Sequence, residues 1–544
     1  MKIFPLFGYL HFYKLLLNNP YLASFNLRVQ NIGNIRTMQM NRRDFVKGAA
    51  LLVGTGQIAS AQSKIPKLPI MPLTNLAKGI DQRIKLDLNS SNHNFGNGSL
   101  SPTYGINNSY LGPVLCVKKG QTLPFEITNN INEITTLHWH GLHVPGTVDG
   151  GPHQQIDPGK KWSPDVPIAQ RASMNWFHSH AHGRTAKQVY KGLVGVMLIE
   201  DDESLSADLP KTYGIDDFTL VLQDKLFSET GKLVYKLSET ILDDGLIGET
   251  LVVNGAIAPV VQSVPTGLVR LRILNASNAN FLTLSMSKGP LNIIASDGGF
   301  LKSTVQADLI VMSPGERYEI LVDMRMIDVN KLLVSYGLPE IGGITALLQE
   351  YNEKGLRNLI KKLWNEGEIT IEAVTLNRTN TTGFDGSIPS SLANIPHPDL
   401  TNVSVTRSFE LTQYTGADLS ALAVARDTMC GNGTAMTING KSMDMNRIDE
   451  TVKKGDTEIW RITVDDWRHP FHVHGCSFRI LSQEGKPPPT YAQGWKDMVH
   501  VDGELWSEIL VRFDYSAPNT SPYMYHCHIL EHEDCGMMGQ FTVT

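Results

Sequence analysis

Three stretches of this chain are built alike, and their likeness limits the possible fold more than any other feature of the sequence. They read YGINNSYLGPVLCVKKGQTLPFEITNNINEITTLHWHG, LVVNGAIAPVVQSVPTGLVRLRILNASNANFLTLSM and MTINGKSMDMNRIDETVKKGDTEIWRITVDDWRHPFHVHG. Each opens on Asn or Asn-Gly, passes a Gly and enters an alternating apolar segment, such as Leu123, Phe125 and Ile127 or Val269, Leu271 and Ile273. Residues two apart share one face of a strand, so this alternation marks half-buried strands. Short strands parted by Gly, Pro and Asn turns, without long helical periods, predict an all-β protein of β-sandwich domains. At 544 residues the chain exceeds what one core holds, and the expected domains are 62–215, 216–399 and 400–544. Between Glu350 and Pro398 the pattern is least strand-like: GLRNLIKKLWNEG predicts a short helix and TNTTGFDGSIPSSLANIPHPD an interdomain linker.

With Lys and Arg at 48 against Asp and Glu at 54, nucleic acid is not an expected partner. The five cysteines are too few, and odd in number, to form a disulfide framework. A Cys116–Cys430 bridge is open in an oxidising compartment, and Cys535 reads as an idle buried thiol. The stretch NRRDFVKGAALLVGTGQIASAQS sets Arg42 and Arg43 ahead of a short apolar run, Ala49 to Ile58, and then Ala59-Ser60-Ala61. This is the pattern of a twin-arginine signal, so residues 1–61 are expected to be an N-terminal extension and signal cleaved near Ala61. The expected partner is the twin-arginine export machinery, and the expected location is the periplasm or another exported compartment. The run falls short of the roughly 20 residues that span a bilayer, so no membrane anchor is expected. Residues 1–39 offer no recognisable element, which suggests a start at Met38 or Met40. A monomer is expected.

Histidine is distributed far from randomly. From 17 His in 544 residues, chance gives about half an HxH pair. The chain has His138/His140, His178/His180, His180/His182, His472/His474 and His526/His528. Isolated residues such as His93, His397 and His500 read as core histidines. On a strand each HxH presents two imidazoles side by side, and imidazole suits copper. The pairs belong to the first and third domains; the second repeat has LTL, Leu282 to Leu284, and its domain reads as a spacer. In HCHILEHEDCGMM, His526 and His528 face the cluster while Cys527 turns the other way. His469, Cys527, His532 and Met537 make up two imidazoles, a thiolate and a weak axial thioether, the donor set of a blue-copper site. Zinc also accepts His and Cys, but gives no reason for two sites joined through one HCH.

Four blocks in order, HWHGLHVPGTVDGGP, WFHSHAHGRTAKQVYKGLVG, HPFHVHGCSFRILSQEGKPP and MYHCHILEHEDCGMM, resemble the multicopper oxidases, in particular the three-domain bacterial laccases and cuprous oxidases. The resemblance implies three cupredoxin-like Greek-key domains and four copper ions. A type 1 ion would be held by His469, Cys527, His532 and Met537. A type 2 ion would be held by His138 and His472, and two type 3 ions by His140, His178, His180, His474, His526 and His528. His182 has no ligand role in the family and reads as a hydrogen-bonded structural histidine. The resemblance also makes Asp149 and Glu533 proton-managing acids and places Asp465, four residues before His469, at the substrate edge. Where cuprous-oxidase relatives have a methionine, this chain has Trp467; Met429, Met436, Met443 and Met445 read as filling. The expected activity is therefore laccase-like: a small phenol or aromatic amine is oxidised and O2 is reduced to water. Oxidation of Cu(I) in copper tolerance is the alternative. A copper-free envelope scaffold, as in relatives that have lost ligands, and a copper store are the non-catalytic readings.

Overall fold

The computed structural model describes residues 24–31, 34–41, 65–236, 244–336, 370–415, 434–465, 468–503 and 505–544. The twin-arginine stretch, the helix expected at GLRNLIKKLWNEG, and Trp467, Met429 and Cys430 lie outside the described residues. Upstream of the signal, where the sequence offered no element, Ser24–Asn31 pairs antiparallel with Asn34–Asn41 as a hairpin. It belongs to a separate unit, residues 1–64.

Residues 65–544 form the second unit, an all-β assembly of three sandwiches, each made of two sheets. The same pairings recur in each. In one sheet Ile84–Asn94 runs parallel to Thr122–Asn130, as Asp217–Lys225 does to Leu268–Asn275 and Val403–Thr415 to Thr457–Val464. In the facing sheet Val114–Lys118 runs parallel to Val194–Glu200, as Val260–Thr266 does to Thr370–Thr382 and Glu450–Val452 to Met538–Val543. Parallel neighbours in one sheet cannot be joined by a hairpin, so the chain crosses between sheets to make them.

Alternation does what the sequence requires of it. Leu123, Phe125 and Ile127 enter the first core, Val269, Leu271 and Ile273 the second, and Trp460, Ile462 and Val464 the third. The second set departs in one respect, because Leu268–Asn275 is buried on both faces. Its other face carries Arg270 and Arg272, which pair with Glu319 and Asp217. A buried charge is tolerated only when paired in this way.

The repeats also locate the histidines. His138–His140 pairs with Ser173–His178, Leu282–Met286 with Val329–Tyr336, and His469–Val473 with Tyr523–Cys527. These are equivalent positions in equivalent sheets. In the middle sandwich Leu282 faces Tyr336 and Leu284 faces Val334, so apolar packing stands where the outer sandwiches present imidazoles.

Candidate metal centre

Strand register brings the rings together before any side chain is considered. His138 lies opposite His178, and His472 opposite His526. The loop after the first strand is pressed against it by Gly150 at φ +81, where an added Cβ would fall 1.8 Å from the Leu137 carbonyl oxygen. Only glycine allows that approach, and it sets Asp149 beside the rings. The short helix Leu530–Asp534 follows HCH directly and carries His532 and Glu533.

The ring nitrogens sort into three groups. His140, His178 and His528 form one trio, His180, His474 and His526 a second, and His138 and His472 meet beside His140. All eight are buried. His526 Nε2 lies 3.2 Å from His180 Nε2 and 3.3 Å from His474 Nε2. Imidazoles about 2.0 Å from one ion at tetrahedral angles stand about 3.3 Å apart, so the spacing fits a metal between them.

Hydrogen bonds show which nitrogen faces inward. Nδ1 of His138, His472, His178 and His526 meets the backbone carbonyl of Asp149, Asp497, Ser179 and Cys527 at 2.9, 2.8, 2.8 and 2.9 Å. A carbonyl only accepts, so each Nδ1 carries the proton and each Nε2 keeps its lone pair. Nε2 of His138, His178 and His472 has no hydrogen-bond partner. His140 is turned the other way: its Nε2 lies 3.2 Å from Asp497 Oδ1 and its Nδ1 is left without a partner. Buried nitrogens without partners are costly, and a metal ion would satisfy them.

Burial first, and neighbouring imidazoles second, hold His140, His178, His180, His472, His474 and His528 well below the usual imidazole range. Burial takes His526 down to about 3. Neutral imidazole is the ligating form.

On the other side of the Tyr523–Cys527 strand a second group forms. His469 Nδ1 lies 3.3 Å from Cys527 Sγ and 3.3 Å from His532 Nδ1, and Cys527 Sγ lies 3.9 Å from His532 Nδ1. Met537 is buried, its amide donating to the His532 carbonyl and its carbonyl accepting from the Cys527 amide. Burial raises the Cys527 thiol, so a bound cation is what would favour its thiolate.

Asp149 and Glu533 are both fully buried rather than solvated. Asp149 Oδ2 lies 2.8 Å from His474 Nδ1 and 3.3 Å from His138 Nδ1, and Oδ1 has no partner. Glu533 stands 3.3 Å from His180 Nδ1 and 3.4 Å from His526 Nδ1, without a hydrogen-bond partner on either oxygen. Burial, then Asp534, pushes Glu533 well above the usual carboxyl range. Asp465 is exposed at the end of Thr457–Val464.

His182 joins none of the nitrogen groups, as expected, although its Nδ1 has no hydrogen-bond partner. Other expectations fail. His397 is exposed on the stretch between sandwiches rather than in a core. Cys116 is a buried free cysteine, so the Cys116–Cys430 bridge is not formed, and Cys535 is disulfide-bonded rather than an idle thiol. Sequence reading also missed Asp497 and Arg317, because neither lies in a motif with recognisable spacing.

Profiles of the multicopper oxidase family match residues 87–204, 202–351 and 413–544. "Multicopper oxidase mco" of Staphylococcus aureus is 35% identical over 456 residues, covering 83% of this chain and 86% of that protein. "Cell division protein FtsP" of Escherichia coli is 33% identical over 510 residues, covering 93% and 99%. The structure of a bacterial laccase-like multi-copper oxidase CueO from Ochrobactrum sp. superimposes with a TM-score of 0.75 at 38% identity, over 88% of this chain and all of that one. Sequence, fold and the geometry of the histidines agree: the chain belongs to the multicopper oxidase family.

Proposed function

We propose that this protein holds four copper ions and couples four one-electron oxidations of a small reducing substrate to reduction of O2, with four protons, to two waters. One ion would sit among His469, Cys527, His532 and Met537; three would sit among the eight histidines, His138 and His472 holding type 2 and the two trios type 3. Bound copper would supply single-electron uptake at the sulfur site and dioxygen reduction at the cluster. The observation that carries this reading is the convergence of inward-facing nitrogens in two trios and a pair, joined by one residue to a separate His-Cys-His triangle. Cys527 lies between His526 and His528 in sequence, so covalent bonds link the two groups. A copper store has no need of that link.

The chain's acids have a definable share of the work. Asp149 holds His474 and His138 in orientation through their Nδ1 atoms, and the Glu533 carboxyl, pushed upward by burial, stands beside His180 and His526. Both are placed to pass protons to oxygen species in a site closed to bulk water.

For the donor we favour a phenol or aromatic amine. Val501 pairs with His469, and the chain a few residues beyond Val501 exposes Leu505 and Trp506, an apolar and an aromatic side chain. Asp465 stands near the same ligand in sequence and would receive the substrate's proton. Export by the twin-arginine route is inferred from Arg42, Arg43 and the apolar run. No helix among the described residues is long and apolar enough to cross a membrane.

The test is one preparation. Copper-loaded protein should be intensely blue and consume oxygen with a phenol. Uptake with Cu(I) alone would replace the organic donor by a cuprous one. Blue colour without uptake on either donor would support a non-catalytic, copper-holding role.

A further inference from the structure

We propose that Arg317, from the sandwich without copper ligands, is a positioning residue for the histidine cluster: it clamps Asp497, which fixes which ring nitrogens of His140 and His472 face the metal. The inference rests on the copper reading above and adds a role for the middle domain.

Asp497 acts on two ligands at once. Its carboxylate faces His140 Nε2 at 3.2 Å, and its carbonyl accepts from His472 Nδ1 at 2.8 Å. The two rings stack with centroids 3.7 Å apart, and their other nitrogens, His140 Nδ1 and His472 Nε2, have no hydrogen-bond partner. An acceptor opposite His140 Nε2 puts the proton there and the lone pair on Nδ1. A single residue therefore sets both rings, His140 of the first trio through its side chain and His472 of the pair through its backbone carbonyl.

Arg317 in turn fixes Asp497. Its Nη1 and Nη2 donate to Oδ1 and Oδ2 at 2.5 and 2.6 Å, a bidentate fork. The remaining donors are used as well: Nε to the Met174 carbonyl at 2.9 Å, Nη1 to the Gly315 carbonyl at 3.1 Å, and Nη2 to the Asp297 carbonyl at 3.2 Å. Met174 lies on the strand that ends in His178, so one guanidinium joins all three sandwiches behind the cluster. Lysine has no such fork. Beside it Lys496 pairs with Asp297 at 2.9 Å and Glu316 at 2.6 Å, so the loop carrying Asp497 is held on the middle domain at two points. This arrangement is more specific than a packing contact: all five guanidinium N–H groups are directed, and the carboxylate they hold is the only described partner of His140 Nε2.

The experiment loads copper into the full chain and into Arg317→Met, Arg317→Lys and Asp497→Asn. It reads copper per chain, blue absorbance per chain, and cluster affinity by competition with a chelator. We expect the blue band to persist in all variants, because His469, Cys527 and His532 do not touch Arg317 or Asp497. Cluster affinity should fall about 10–100-fold, leaving fewer than the wild-type number of ions. Arg317→Lys should fail to restore it, because charge without the fork is not enough. Asp497→Asn can turn its amide toward His140 Nε2 and so favour the opposite tautomer. Equal copper content and affinity in the variants would overturn the proposal, as would parallel loss of blue band and cluster copper, which indicates general destabilisation. If Arg317→Met does not fold, the two conservative variants decide on the same readouts. Wild-type protein that takes up no copper and shows no blue band would instead refute the underlying copper reading.

Discussion

Copper-free protein should lose stability as it is acidified from pH 6.5 to 5.5. Eight buried histidines, His140, His178, His180, His469, His472, His474, His526 and His528, have folded-state pKa values depressed mainly by burial. A depressed imidazole stays neutral in the folded chain but takes a proton in the unfolded one near its ordinary value of about 6.5. Its stabilisation is therefore present above that value and is lost as pH falls below it. Across this single pH unit each ring costs about 1 kcal/mol, so the eight together cost about 8 kcal/mol. Buried acids oppose the loss. Burial raises Glu533, Glu531, Asp224 and Asp534, the last to about 8. They keep protons that the unfolded chain releases, and return at most about 1.4 kcal/mol each over the same interval. The net loss is at least about 2 kcal/mol, a substantial part of the roughly 5–15 kcal/mol that holds a domain folded. Urea unfolding of apoprotein at pH 7.0, 6.5, 6.0 and 5.5 measures it. Copper-loaded protein should unfold at higher urea at every pH with a similar slope, because the ligand nitrogens are unprotonated in the folded chain with or without the metal and the protons are taken up only on unfolding. Apoprotein stability that is level or rises toward pH 5.5 would refute the claim that these rings are held neutral.

Three further outcomes follow from the same geometry. Cys527→Ser should abolish the blue band and reduce oxygen uptake to background while copper remains in the cluster, as shown by metal analysis beside absorbance. Asp149→Asn and Glu533→Gln should slow oxygen consumption about 10²–10⁴-fold, yet leave the anaerobic rate of bleaching of the blue band by substrate unchanged, which stopped-flow absorbance can separate. Gly315→Ala places a methyl 3.2 Å from His528 Nε2 at a position with φ +88. It should cost about 1–3 kcal/mol in thermal unfolding and lower copper content.

The convergence of the imidazoles was legible in the sequence because side chains that share one face of a strand leave a local trace. His138/His140, His472/His474 and His526/His528 must be two apart to share a face, and no core requirement produces that spacing so often. The fold was legible for a related reason: alternation at Leu123, Phe125 and Ile127 records the same period of two. Cys535 was misread because disulfide pairing depends on where distant segments meet, and an odd cysteine count says nothing about which thiol is paired.

Arg317 and Asp497 were hidden for a deeper reason. A ligand must present a particular donor atom, so its identity is constrained to a few residue types; a residue that orients a ligand need only supply an acceptor or donor at the right place. Asp297, Glu316, Arg317, Lys496 and Asp497 look in sequence like ordinary charged residues near turns, and ordinary charged residues are exposed. Only the packing of three sandwiches around one point turns them into buried pairs, with Arg317 and Asp497 separated by 180 residues. The middle repeat's missing histidines suggested a spacer, yet a domain that only bridged the other two would have no reason to bury five acidic and basic side chains at this junction. Burying charge is expensive unless each group is paired, and the pairing here ends on the rings of His140 and His472. On this proposal the middle sandwich, with Leu282 and Leu284 where its neighbours carry histidines, is the wall that holds His140 and His472 in register.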